Sequence, residues 1–144
     1  LVIVGGEMHK TGEIFETYDN MRYKKDVVFT GRVSTSELHQ IFGAALALTF
    51  VPFFEGFGIP VVEAMSAGVP VICSNTTSIP EVGGSAVLYA DPCKIEQITE
   101  AMIKMAGDAE FRKGLIDKGF VQKNKFSWDE TARLLWMSVE RALQ

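Results

Sequence analysis

Cysteine is scarce: Cys73 and Cys93 are the only two in 144 residues. That excludes a disulfide scaffold, and neither they nor His9 and His39 have partners at metal-ligand spacing. Cys73 ends an apolar run and reads as a small buried hydrophobe, which makes a reducing compartment the default. Charge excess is also small, with 14 Lys and Arg against 18 Asp and Glu. Such a balance argues against non-specific nucleic-acid binding and does not suggest an anionic membrane partner. Long hydrophobic runs are missing as well. The longest, Ala44 to Phe54, contains Thr49 and Pro52 and is too short to cross a bilayer. No signal peptide, internal repeat, low-complexity tract or linker is present. Hydrophobic residues at 47% against 22% charged exclude disorder and coiled coil. The length suits one domain with a sizeable core.

What is there alternates. Leu1 to Val4 and Val27 to Thr30 read as short buried strands, each stopped by glycine. A polar helical stretch around Thr11 to Met21 separates them. Ser34 and Glu37 have capping-box spacing, followed by Leu38, Ile41, Phe42 and Ala45 at helical intervals. Leu46 to Val51, Pro70 to Cys73 and Ala86 to Tyr89 read as three more strands. Pro60 suits a first helical turn, so a helix to about Ala67 is expected, and Ile79-Pro80-Glu81 reads as a single turn. Asp91-Pro92 leads into a helix with Ile95, Ile98, Met102 and Met105 on one face. Another helix is expected from Asp108 to about Gly119. A second capping box, Ser127 and Glu130, opens the last helix, which carries Trp128, Ala132, Leu135, Trp136 and Val139 on one side. Apolar strands alternating with helices imply an α/β domain with a doubly wound, Rossmann-like parallel sheet flanked by helices. Leu1 opens directly into a strand with no initiator Met, so we expect a fragment of a longer protein, 1–144 being one domain of it.

Ligands of such sheets sit beyond the carboxyl ends of the strands. The loops there are Gly5-Gly6, Gly31 to Thr35, Phe53 to Ile59 and Ser74 to Ser78. The third is the most unusual. Gly56 and Gly58 allow close backbone approach, and the helix after them offers free N–H groups to a phosphate. Glu55 and Glu63, eight positions apart, flank the loop, and carboxylates accept hydrogen bonds from sugar and ribose hydroxyls. Glu63 is placed near the first turn, where a carboxylate also favours the helix dipole. His9, His39 and Lys24-Lys25 read as surface residues, Phe53 and Phe54 as core or loop packing, Met102 and Met105 as core filler. Trp128 and Trp136 at helical spacing read first as core.

The run Glu55-Gly56-Phe57-Gly58-Ile59-Pro60-Val61-Val62-Glu63-Ala64-Met65, followed by Ala67-Gly68-Val69-Pro70-Val71-Ile72, resembles the signature of the group 1 (family 4) retaining glycosyltransferases. Phe29-Thr30-Gly31-Arg32-Val33-Ser34, Ile79-Pro80-Glu81-Val82-Gly83-Gly84, Asp91-Pro92 and Phe126-Ser127-Trp128 agree in order and spacing. The resemblance implies the C-terminal, donor-binding half of a two-domain GT-B enzyme. Such an enzyme transfers a sugar from a nucleoside-diphosphate sugar to a glycan or glycolipid acceptor with retention of configuration. In the E-x7-E motif of that family, Glu55 contacts the donor sugar as the catalytic carboxylate and Glu63 the ribose. Gly56, Phe57 and Gly58 approach the sugar and diphosphate through their amides. Arg32 and Val33 frame the base, Leu38 offers an apolar wall, and Gly5 and Gly6 match the glycines ending the second strand of the domain.

The same resemblance implies no cofactor and no metal, in keeping with the absence of an Asp-x-Asp pair. It implies a cytoplasmic enzyme of polysaccharide biosynthesis at the inner face of the cell membrane, with peripheral membrane association and the acceptor site both in the missing half. The terminal helix crosses back to the other domain in that family, which would leave its apolar side as an orphaned contact. Val51-Pro52 stands where the family has Pro-Ser, and its diphosphate-binding Arg and Lys fall on a strand and loop before Leu1, which implies that the domain's first strand is missing here. Alone, the fragment is expected to be inactive. The alternatives are the corresponding half of a sugar-nucleotide epimerase and a non-catalytic nucleotide-binding α/β module. A dinucleotide oxidoreductase would want G-x-G-x-x-G after the first strand, which Gly5-Gly6 does not supply.

Overall fold

The computed structural model describes residues 1–6 and 12–143, so His9 and Thr11 lie outside the described residues. The chain forms two compact units, Leu1–Ile41 and Phe42–Gln144. In the first, β1 (Val2–Val4) runs parallel to β2 (Val28–Gly31), with Ile3 opposite Phe29. Between them lie α1 (Gly12–Asn20) and a 3-10 turn, Lys24–Asp26. Phe29 receives Phe15 and Tyr18 of α1 at ring-centroid distances of 5.6 and 5.2 Å. Ile3 and Phe29 share the face beneath α1, where Ile14, Tyr18 and Met21 line an apolar groove. Val2, Val4 and Val28 point the other way and remain exposed, so these strands are not buried on both faces as their composition predicts.

Helix α2 (Thr35–Ala44) starts where the sequence places it. The Ser34 N–H and hydroxyl both donate to Glu37 Oε2 at 2.7 Å, while the Glu37 N–H donates to Ser34 Oγ at 3.3 Å. These bonds hold the Glu37 carboxyl below the ordinary carboxylate range. Phe42 is the buried residue of the helix.

The second unit is built on β3 (Leu48–Phe50), β4 (Val71–Ser74) and β5 (Leu88–Ala90), parallel and in that spatial order. Thr49 lies opposite Ile72, and Ile72 opposite Leu88. Among the described residues, the first unit thus holds a two-stranded parallel ladder and the second a three-stranded one. All four β4 residues are buried. Ile72 packs with Ala101 and Met105 of α5 (Ile95–Gly107), with Leu115 of α6 (Ala109–Gln122), and with Ala90. Helix α3 (Ile59–Ser66) connects β3 to β4, and the short α4 (Ile79–Gly83) connects β4 to β5. Met65 of α3 closes on Gly119 of α6, where an added Cβ would lie 3.3 Å from Met65 Cγ. Buried Gln122 ties α6 to α4 by donating to the Val82 carbonyl at 2.9 Å. Asp108 caps α6 by accepting the Phe111 N–H at 2.8 Å.

Two helical faces differ from their periodicity. On α5 the buried positions are Ala101 and Met105, while Ile95 is 75% and Met102 38% exposed. The small Ala101 gives the helix its close approach to Ile72, which turns Ile95 and Met102 outward. On α7 (Trp128–Ala142) nothing is buried: Trp128, Leu135 and Trp136 are all exposed. Its capping box is half formed. Ser127 Oγ accepts the Glu130 N–H at 3.1 Å, but the Glu130 carboxylate turns to Arg133. Among the described residues no helix is long and apolar enough to cross a membrane.

Three expectations follow from this packing. Gly58 has φ +108°, and a Cβ there would sit 2.8 Å from Ile79 Cδ1. Gly58→Ala therefore lowers stability by about 1–3 kcal/mol, read as an earlier urea midpoint. Cys73 is fully buried and Cys93 exposed, so a thiol reagent labels Cys93 in the folded protein and Cys73 only on unfolding. Burial pushes the Cys73 thiol from 9.0 up to about 12, and burial with charge repulsion from Cys73 pushes Tyr89 from 10.0 up to about 12. Both groups are protonated in the folded state. The stability this gives is intact below pH 9 and declines as pH rises toward 12, so urea melts at increasing alkaline pH lose their midpoint progressively.

Candidate functional site

Parallel strands deliver their loops to one end of the ladder, so the segments after β3 and β4 are neighbours by construction. The loop after β3 turns at Glu55. Glu55 Oε1 accepts the backbone N–H of Gly56 at 3.1 Å and of Phe57 at 3.4 Å. Two consecutive amides thus converge on one anionic oxygen immediately before α3. Gly56 is exposed, and a Cβ on it would meet nothing within 4 Å, so the outer side of the turn is open. Gly58 is buried and left-handed, which turns the chain directly into the helix, and no side chain caps that end. Pro60 at the second helical position lacks an N–H in any case.

The loop after β4 holds the first loop in place. Thr77 Oγ1 accepts the Glu55 N–H at 3.2 Å, and Ser78 Oγ donates to the Glu55 carbonyl at 2.9 Å. Thr76 Oγ1 lies 3.4 Å from the Pro52 and Phe53 carbonyls. The proline at position 52 is thereby incorporated, its carbonyl used, although the position departs from Pro-Ser. Farther along the chain, Phe126 meets Phe57 edge-on at 5.6 Å and 89°.

Glu63 is half-buried and is the fifth residue of α3, just past the first turn, near which it is expected. The helix dipole acts mainly within the first turn, so it explains little of why a carboxylate stands there. The ion pairs among the described residues are Lys24–Asp19, Lys94–Asp91 and Arg133–Glu130, none involving Glu55 or Glu63. Glu55 Oε1 already accepts the Gly56 and Phe57 N–H groups, and a carboxylate has further lone pairs for hydroxyl donors. Phe53 and Phe54 are 72% and 79% exposed beside Glu55. They are not core, because the chain leaves β3 after Phe50 and carries them past the last strand pairing.

The remaining expected residues belong to the first unit. The Gly5 N–H donates to the Gly31 carbonyl at 3.0 Å, joining the ends of β1 and β2. Both glycines take positive φ, +132° and +66°. Gly6 lies under the Arg32 side chain, whose Cγ and Nε would be 3.6 and 3.8 Å from an added Cβ. Arg32 is exposed, and Val33 and Leu38 are half-buried. Gly5, Gly6 and Arg32 are thus brought together within this unit, as Glu55, Gly56, Phe57 and Gly58 are within the other. Sequence reasoning named the loop Ser74 to Ser78 but gave Thr77 and Ser78 no part in holding Glu55. Three hydroxyls in succession at a strand's carboxyl end, Thr76-Thr77-Ser78, were the available signal.

The chain is similar to known proteins in sequence and in fold. The model of the family described as glycosyl transferases group 1 matches residues 1–122. O-antigen chain mannosyltransferase B of Escherichia coli is 41% identical over 101 residues, covering 70% of this chain and 26% of that protein. The serotype-specific mannosyltransferase WbdA of Escherichia coli is 33% identical over 121 residues, covering 84% and 15%. The chain therefore spans about a quarter or less of these curated relatives. Among solved structures, Anabaena HepE in complex with UDP and glucose superposes with a TM-score of 0.83 at 16% identity, covering 97% of this chain and 40% of that one. Sucrose-phosphate synthase from Thermosynechococcus elongatus gives 0.78 at 24% identity, covering 99% and 38%. With a family match across most of its length, the chain belongs to the group 1 glycosyl transferases.

Proposed function

We propose that the chain is the donor-binding domain of a two-domain retaining glycosyltransferase that takes a nucleoside-diphosphate sugar. The observation that carries this reading is the pair of amides at Gly56 and Phe57 converging on one acceptor oxygen, which Glu55 itself supplies. A ligand oxygen entering the turn takes over these donors and releases the Glu55 carboxylate to the sugar hydroxyls. Glu63, one helical turn on, accepts from the ribose. The resemblance of the first unit's loops to the family assigns Arg32, Val33 and Leu38 to the base, with Gly6 against the Arg32 side chain in that unit. The mannosyltransferase names of the relatives that are 41% and 33% identical support mannose as the transferred sugar.

In this reading the protein works by position and electrostatics. It holds the donor in a reactive geometry and stabilises negative charge on the leaving diphosphate through backbone amides and the open start of α3. No metal takes part, a reading supported by the absence of an Asp-x-Asp pair. The acceptor, a glycan or glycolipid, binds a second domain, and the exposed apolar side of α7 rests on that domain. The enzyme acts in the cytoplasm at the inner membrane face. The 144 residues alone are inactive.

The test is a thermal-shift titration of the full-length protein with UDP, GDP, ADP and their sugar conjugates, GDP-mannose included. A ligand at ten times its dissociation constant stabilises by roughly 1.4 kcal/mol, a readable shift. One nucleoside diphosphate series is expected to act. Glu63→Ala is expected to cost about 1–3 kcal/mol of donor binding, because a ribose hydroxyl loses its acceptor. Unchanged affinity in that variant would remove the ribose assignment. No shift with any nucleotide would favour a non-catalytic module.

A further inference from the structure

Among the described residues, Thr77 is the one non-glycine residue with a positive φ, +54°. A β-branched side chain is poorly suited to that region, where glycine or asparagine sits at far less cost. Nothing about turning the chain from β4 into α4 demands threonine. What threonine supplies is a hydroxyl. Its Oγ1 accepts the Glu55 N–H at 3.2 Å, across a separation of 22 residues. The next residue, Ser78, donates to the Glu55 carbonyl at 2.9 Å. Both peptide groups of Glu55 are therefore gripped by adjacent side chains of the facing loop, one as acceptor and one as donor.

The grip has a geometric consequence. With its N–H and carbonyl fixed, Glu55 retains only side-chain rotation, and its Oε1 rests on the amides of Gly56 and Phe57. Without the two hydroxyls, the loop from Pro52 to Phe57 would keep one stitch from this segment, the 3.4 Å contacts of Thr76 Oγ1 with the Pro52 and Phe53 carbonyls. Backbone strain that persists in a native structure is held there by surrounding interactions and gathers at working sites. We propose that Thr77, together with Ser78, is a positioning residue that sets the Glu55 carboxylate for the sugar of the donor. The inference rests on the donor-binding reading above and adds to it a determinant of sugar recognition outside the E-x7-E segment.

A purely structural threonine and a positioning one make opposite predictions for Thr77→Gly. Glycine relaxes the backbone and deletes the hydroxyl. The full-length protein carrying Thr77→Gly is expected to melt no lower than wild type, yet to bind the nucleoside-diphosphate sugar about tenfold more weakly. Affinity for the bare nucleoside diphosphate falls less, because that ligand shares the turn's amides but has no sugar for Glu55 to reach. Thr77→Ser, which keeps the hydroxyl, retains wild-type sugar-nucleotide affinity. Ser78→Ala, which leaves position 77 intact, weakens sugar-nucleotide binding as Thr77→Gly does. In a Thr77→Gly, Glu55→Gln double variant the two losses are less than additive.

Isothermal titration of these variants with both ligands decides the matter. Thr77→Gly binding the sugar nucleotide as wild type does would overturn the proposal. So would equal losses for the sugar nucleotide and the bare diphosphate, or a Thr77→Ser variant as weak as Thr77→Gly. Wild-type protein that binds no nucleoside-diphosphate sugar would overturn the donor-binding reading and this inference with it. Wild-type binding with an unaffected Thr77→Gly overturns this inference alone.

Discussion

The burial of β4 is the constraint on which the rest of the second unit depends. A central parallel strand has neighbours on both edges and must have apolar cover on both faces, since its ladder leaves no side open to water. Val71, Ile72, Cys73 and Ser74 meet that demand with complete or nearly complete burial. Parallel pairing in turn forbids tight hairpins, so the chain must cross over through α3 and α4 to reach each next strand. Every crossover begins at the same end of the ladder. The loops at Glu55 and at Thr77 face each other for that reason, before any ligand is considered.

Local chemistry then makes the two loops one object. Gly58 admits the close packing of Ile79 beneath the start of α3, which a side chain at that position would block. Thr76, Thr77 and Ser78 use their hydroxyls on the backbone from Pro52 to Glu55. Phe126 closes on Phe57 and ties the segment before α7 to the same turn. The carboxylate of Glu55 is thus carried on a backbone held from three directions, as suits a group that must meet a ligand in a fixed geometry. Neither Glu55 nor Glu63 enters the ion pairs of the described residues.

Much of this was legible in advance. The strand–helix alternation, the capping box at Ser34, the helix start at Pro60 and the short turn at Ile79 all follow from local rules, and the structure contains them. The turn at Glu55 was legible because glycine spacing and carboxylate spacing coincide there. Helix faces were read less well. Periodicity marked Ile95 and Met102 as inward, but the small Ala101 decides which stripe of α5 meets Ile72. The apolar side of α7 is amphipathic in sequence and exposed throughout in the structure. A hydrophobic stripe says that a helix has a face for burial and nothing of what buries it.

The sequence by itself determined the class of fold, the order of elements and the family, because these rest on short-range patterns: period, caps, glycines and an eleven-residue signature from Glu55 to Met65. Tertiary structure alone decided that a threonine 22 residues away would grip the Glu55 amide, and that it would do so from a strained backbone. It also decided that Phe53 and Phe54 stand in the open beside Glu55. The physical reason is common to all of these. A contact between residues distant in sequence depends on where two crossovers set down their ends, and no local pattern in either segment encodes the other's position.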